Sequence, residues 1–93
     1  MDVRFIWSEA KRESNLAKHE LDFADAVPIF TCRTFTFEDT RLCYSERRYI
    51  TLGLLRHHIV SIVHTENAEE IRIISFRKAT RREAQLFFEE VAY

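Results

Sequence analysis

The sequence predicts an α+β domain: a small antiparallel sheet with N-terminal helices and a C-terminal helix packed on it. Three features point there. The middle of the chain carries alternating or continuous apolar runs rich in β-branched and aromatic residues, which suit strands. The segments flanking it carry helix-start signals, Ser8 near the beginning and Thr80 with Glu83 near the end. The resulting order β, α, α, β, β, β, β, α groups the strands and leaves helices on both sides of them.

Residues 3–7 read as a short strand, and Ser8 as the N-cap of a helix over residues 9–19. That helix is weakly apolar. Ala10, Ala17 and Leu21 share a face, with Leu16 to one side. Lys11, Asn15 and Lys18 stack at i, i+4 and i+7 on another face, with His19 at its edge. Asp22 and Asp25 open a second helix through Phe23, Ala26 and Val27. Pro28 inside it removes a hydrogen bond at a cost of about 3 kcal/mol, so a short or kinked helix is expected. Residues 33–38 alternate, with Phe35 and Phe37 opposite Thr34 and Thr36. Strands follow over residues 47–53, 57–65 and 71–77. In 57–65 both sides are apolar, Val60 and Ile62 opposite Ile59 and Val63, as a central strand requires. Residues 66–70 connect the last two strands as a hairpin. Beyond Thr80, Ala84, Phe87, Phe88 and Val91 recur on one helix face, a pattern of core packing rather than base stacking.

At 93 residues, 46% hydrophobic and 13% aromatic, the chain is one folded domain, residues 1–93, with a single small core. Glycine and proline occur once each, which excludes a flexible linker and a glycine-rich phosphate loop. No apolar run approaches the ~20 residues of a membrane helix. The opening MDVRFIWSEAKRES lacks the apolar stretch of a secretory signal, so a cytoplasmic protein is expected. Cys32 and Cys43 then read as free thiols. They have no CxxC spacing, and His57 and His58 face opposite sides of a strand, so neither a structural metal site nor a cofactor is expected. Net charge is −1, yet residues 1–46 hold 6 Lys+Arg against 9 Asp+Glu while residues 47–93 hold 8 against 6. Nucleic-acid affinity follows local patches, so the neutral average lowers the expectation of strong nonspecific binding without excluding RNA.

The densest patch is IRIISFRKATRRE, residues 71–83, with Arg72, Arg77, Lys78, Arg81 and Arg82 across a strand-to-helix switch. Two arginines in a first helical turn meet the positive end of the dipole, unfavourable by about a few tenths of a kcal/mol each. Clustered cations beside free N–H groups make a seat for a phosphate or an acidic partner. A solvated basic edge, or pairing with Glu83, Glu89 or Glu90, is the plainer reading.

Four segments carry a resemblance: FIWSEAKRESNLAKHELDFADA (5–26), RRYITLG (47–53), VSIVHTE (60–66) and IRIISFRKATRRE (71–83). With the Trp7, Lys11, Asn15, Lys18, His19 spacing joined to the closing run, the chain resembles the BrnT toxins of bacterial type II toxin–antitoxin pairs. The resemblance implies a fold like that of the RelE ribonuclease toxins and RNA cleavage that inhibits translation. The implied partner is a BrnA-like antitoxin with a ribbon-helix-helix region, in a dimer of heterodimers that touches DNA only through the antitoxin. Carried over by position, it singles out Lys11, Asn15, Lys18 and His19, then His64 and Thr65, then Arg72, Arg77, Lys78, Arg81, Arg82 and Glu83. Three positions depart from the family pattern. Glu20 stands where a glycine would suit a left-handed helix end, Asn67 lies near where an arginine is common, and Pro28 interrupts a helix.

Metal-free RNA cleavage sends the 2′-OH against the neighbouring phosphate and needs a base, an acid and cations for a dianionic transition state. Arg72 and Arg77 suit the last task, since a guanidinium fork meets two phosphate oxygens, with Lys78 assisting. His19 and His64 are the acid–base candidates. Each also has a structural reading, His64 as a partly buried histidine and His19 as a cap on free helix carbonyls. Glu83 serves as a capping group or as a general base. Lys11, Asn15, Lys18, Lys78, Arg81 and Arg82 are expected to hold RNA or antitoxin. Two alternatives stay open: a non-catalytic relative that binds protein or RNA, and arginines held structurally by acids such as Glu9, Glu13 or Glu69.

Overall fold

The computed structural model describes residues 2–91. Strand β1 (Arg4–Ile6) leads to Ser8, whose hydroxyl accepts the Lys11 N–H at 3.3 Å and starts helix α1 (Glu9–His19). The helix stops at Glu20, which turns left-handed at φ 60° and bonds its N–H to the Leu16 carbonyl. The glutamate takes the conformation a glycine would take more cheaply, at a cost of about 1–2 kcal/mol. Asp22 accepts the Ala24 N–H, but the expected second helix is two 3-10 turns, Phe23–Asp25 and Val27–Thr31. Pro28 stands at the beginning of the second turn, where a missing N–H is tolerated.

Strands β2 (Phe35–Glu38), β3 (Tyr49–Leu55), β4 (His58–Glu66) and β5 (Glu70–Lys78) join β1 in a sheet of order β1-β5-β4-β3-β2. Strand β4 is central, as its two apolar faces require. The sheet is mixed rather than wholly antiparallel, because β1 runs parallel to β5 from Arg4↔Glu70 to Ile6↔Arg72. No hairpin links these two strands, so nothing local imposes an antiparallel pairing. Asn67 closes the β4–β5 turn, its side-chain oxygen accepting the N–H groups of Glu69 and Glu70 at 2.8 and 2.9 Å.

One side of the sheet is covered by the 3-10 turns, which bury Phe23, Ala26 and Ile29 against Val60, Ile62, Ile73 and Phe76. The other side carries helix α2 (Arg81–Glu90), with Phe87 and Val91 against Ile50, Leu52 and Val63. The expected capping box is present, with Glu83 N–H donating to Thr80 Oγ1 at 3.1 Å and Thr80 N–H to Glu83 Oε1 at 2.9 Å. Phe88 departs from the expected face and is 50% exposed. It lies about 100° around the helix from Phe87, and Leu86 joins the core instead.

Helix α1 likewise turns another face inward. Ala10 and Ala17 are exposed, whereas Asn15 is buried. The cause is the outer edge of β5. Strand β1 covers only Glu70–Arg72, which leaves Phe76 beyond the end of that pairing. The Asn15 amide supplies both partners of Phe76, accepting its N–H at 3.0 Å and donating to its carbonyl at 2.8 Å. A further bond runs to the Leu21 carbonyl at 3.0 Å. A planar amide thus completes the sheet edge as a strand residue would.

Gly53 in β3 leaves room for the second 3-10 turn: a Cβ there would lie 2.5 Å from Ile29 Cγ2 and 3.3 Å from Thr34 Cγ2. Ile29 is buried and β-branched, so it has little freedom to rotate away. Gly53→Ala is expected to cost about 1–3 kcal/mol. That corresponds to a fall of roughly 5–20 °C in melting temperature. A melt coincident with wild type would show that the turn shifts freely.

Candidate functional site

Beside β5, α1 presents Lys11, Ser14, Lys18 and His19 over Ile74 and Ser75 in a shallow hollow of about 250 Å³. A second hollow of about 230 Å³, lined by Ser8, Lys11, Glu46, Arg48, Arg72 and Ile74, shares Lys11 and Ile74 with the first. The two make one trough along the outer part of β5. Its cations come from α1 (Lys11, Lys18), from the residue before β3 (Arg48) and from β5 (Arg72). Glu46 is the carboxylate among its lining residues. Loss of solvent, followed by the charges of Lys18 and Arg77, holds the His19 pKa below the ordinary histidine value. The imidazole is therefore mostly neutral at pH 7 and able to accept a proton. Asn15 also lines the trough, but its amide is committed to Phe76 and Leu21, so it positions α1 instead of acting as a free ligand for RNA or antitoxin.

The basic run 71–83 does not form one patch. Arg72 lines the trough and pairs with Glu46. Arg77 donates to both oxygens of Glu83 at 2.9 and 3.1 Å and to the Lys78 carbonyl at 3.1 Å. Burial alone would raise the Glu83 pKa, but the Arg77 fork and the Thr80 N–H outweigh it and hold the carboxyl below its usual range. Arg77 and Glu83 therefore lock β5 to α2, which corrects their expected roles as a free phosphate fork and a general base. For Arg77 the structural alternative holds, with the Glu83 pairing the sequence offered rather than Glu9, Glu13 or Glu69, whereas the pair of Arg72 with Glu46 is half exposed at the trough. Lys78 is exposed at the end of β5. Arg82 opens into a separate cavity of about 630 Å³ between α2 and β2, beside Glu38 and Glu89, and Arg81 is exposed.

His64 is corrected more sharply. Its side chain is fully enclosed, Nε2 lies 2.7 Å from Thr51 Oγ1, and Phe30 meets the ring edge-on at 5.1 Å between centroids. No substrate phosphate reaches it. Burial pushes its pKa down to about 4, against a smaller opposing effect of the Thr65 backbone. Unfolded histidine titrates near 6.5, so the unfolded chain binds the extra proton between about pH 6.5 and 4. Stability is thus complete above that window and falls on acidification through it, by on the order of 2–4 kcal/mol. Arg12 and Arg41 hold Asp22 and Asp39 at about 2, so those carboxylates add their loss at lower pH. Melting temperatures that stay flat from about pH 7 to 4.5 would contradict a neutral, buried His64.

The segment 39–48 supplies residues that sequence reasoning did not single out. Asp39 is buried and accepts from Arg41 at 2.7 and 2.8 Å and from the Tyr44 hydroxyl at 3.1 Å. The Arg48 guanidinium lies over the Tyr44 ring at 4.3 Å. Arg48 falls within the RRYITLG segment, but no spacing distinguishes it from Arg47, and Glu46 carries no signal.

Fold and site together define a class: a small α+β domain whose first helix and last strand enclose a cationic trough. The chain belongs to the BrnT family, since the model of "Ribonuclease toxin, BrnT, of type II toxin-antitoxin system" matches residues 7–83. That span includes every residue of the trough. Among solved structures the chain is similar to the ribonuclease toxin BrnT of Brucella abortus, whose 1.1 Å crystal structure matches with a TM-score of 0.68 at 29% identity, over 86% of this chain and 100% of that one. No curated protein matches it. Family membership implies an antitoxin partner and an RNA target. Among the described residues no helix is long and apolar enough to cross a membrane.

Proposed function

We propose that this ribonuclease toxin is a metal-independent endoribonuclease that cleaves RNA to inhibit translation in the cytoplasm. Its antitoxin is BrnA-like, with a ribbon-helix-helix region, and assembles with it as a heterotetramer. The supporting observation is the trough, which gathers Lys11, Lys18, Arg72 and a neutral His19 from separate segments. In this reading His19 takes the proton of the 2′-OH, and the freed oxygen attacks phosphorus as the bond to the 5′-oxygen breaks. Arg72, Lys11 and Lys18 balance the charge on the phosphoryl oxygens, and the lysine ammonium groups supply exchangeable protons to the leaving oxygen. Arg77 contributes through its charge and by fixing β5 to α2. Antitoxin carboxylates compete for the same cations, with Lys78, Arg81 and Arg82 extending the basic surface.

Induced expression in a bacterial host, with growth and total RNA followed, tests the reading. Growth arrest with RNA loss is expected, and Arg72→Ala is expected to abolish both while the protein stays folded. Arg77→Ala is expected also to lower the melting temperature, because Glu83 is left partly buried without its partner, at about 1–3 kcal/mol. The engagement of Arg77, Glu83 and His64 in the fold favours a second reading, a non-catalytic binding module. Healthy growth and intact RNA with folded protein would establish that one instead.

A further inference from the structure

We infer that Arg48, Arg72 and Lys11 form a second phosphodiester seat in the trough, occupied in the free protein by Glu46 as an internal phosphate surrogate. This rests on the RNA-cleaving reading above. Arg48 lies over the Tyr44 ring, its side chain 26% exposed, and its buried Nε–H has no acceptor among the described residues. A guanidinium donor left open in this way favours an anion that can reach it. Arg72 from β5 and Lys11 from the first turn of α1 line the same hollow. Three cations from three separate segments thus converge on a space that holds one carboxylate.

That carboxylate is a stand-in by its chemistry and by its position. Glu46 pairs with Arg72, and the same oxygen lies 4.0 Å from Arg48 Nη2. Carboxylate and phosphodiester each present two oxygens to a guanidinium fork, so one replaces the other at little geometric cost. Glu46 belongs to the irregular segment 39–48 and is 40% exposed, whereas Arg72 and Lys11 stand on a strand and a helix. It is therefore the member able to leave. RNA is favoured over an acidic protein because this hollow shares Lys11 and Ile74 with the one holding His19. Two adjoining seats suit consecutive phosphates of one strand.

The test is fluorescence anisotropy of a 2′-O-methyl oligonucleotide, which cannot be cleaved, titrated with the full chain at several salt concentrations. Glu46→Gln is expected to bind on the order of three- to tenfold tighter than wild type. Glu13→Gln, the same charge change at an exposed position on α1 outside the hollow, is expected to match wild type. Arg48→Ala is expected to bind roughly tenfold weaker, with a salt slope smaller by about 0.7. Glu46→Gln should give a smaller gain in the Arg48→Ala background, because the two act on one seat that Arg72 and Lys11 still line. Should Arg48→Ala fail to fold, Arg48→Lys, which keeps the charge and loses the fork, is expected to show the same diminished gain. A Glu46→Gln effect no larger than that of Glu13→Gln, or one undiminished without Arg48, overturns the seat. If Lys18→Ala still weakens binding in that case, the trough as an RNA site survives. Absence of RNA binding by every form overturns both. A Glu46→Gln effect confined to a polyglutamate peptide overturns the RNA seat in favour of an acidic partner.

Discussion

Asn15→Ala will unfold a substantial part of the molecule's stability margin. The substitution removes three hydrogen bonds and leaves the N–H and carbonyl of Phe76, a fully buried residue, without partners. Each buried polar group so stranded costs about 1–3 kcal/mol. Alanine's better helix propensity returns less than about 1 kcal/mol. A net loss of about 3 kcal/mol or more is expected, against a total of roughly 5–15 kcal/mol for a domain of this kind. Urea denaturation should show the midpoint falling with little change in slope. Asn15→Asp is expected to be at least as damaging, since it loses the donors and brings a carboxylate against a carbonyl. An alanine variant as stable as wild type would mean that water or the β5 backbone satisfies Phe76 without α1.

His19→Asn is expected to have the opposite signature, with the fold intact and RNA cleavage lost. Removing a positioned general base typically costs about 10²–10⁴-fold. His19 is only partly buried and makes no hydrogen bond among the described residues, so the melting temperature should scarcely move. The pH profile separates catalysis from simple charge. With its pKa held below the ordinary value, His19 is already deprotonated at neutrality, and the rate should fall on acidification through that lowered value. Lys18→Ala removes a nearby positive charge, so the acid limb should move to higher pH. A Lys18→Ala profile that scales down without moving would argue that the titrating group lies elsewhere.

Much of this architecture is written in local signals. Ser8, the Thr80–Glu83 capping box, the Phe35–Phe37 alternation and the double-faced strand around Ile62 all act over a few residues, and each lies where its pattern places it. What local signals omit is partnership at long range. Asn15 looks like one more polar member of a cationic helix face, and only the shortness of β1 makes it an edge residue. Arg72 and Arg77, an odd number of residues apart, would face opposite ways on a regular strand. The register shift between Val63 and His64 brings both to the α2 side, opposite Thr65 and Ser61. There Arg77 finds Glu83, and the segment before β3 brings Glu46 to Arg72. His64 was legible as inward-facing from its alternation with Val60 and Ile62. Its complete enclosure depends on Phe30, delivered by the turn that Pro28 creates.

The parallel pairing of β1 with β5 has a consequence for how the molecule is made. Arg4 and Glu70 are 66 residues apart in the chain and are joined side chain to side chain at 2.7 Å. Contacts of such separation form late, after the intervening loop has been closed. While a ribosome is still short of β5, β1 has no neighbour and Asn15 has no strand to grip. The trough residues from Lys11 to Arg72 then have no common surface. A chain cut short before β5 therefore lacks the trough and the edge that Asn15 completes.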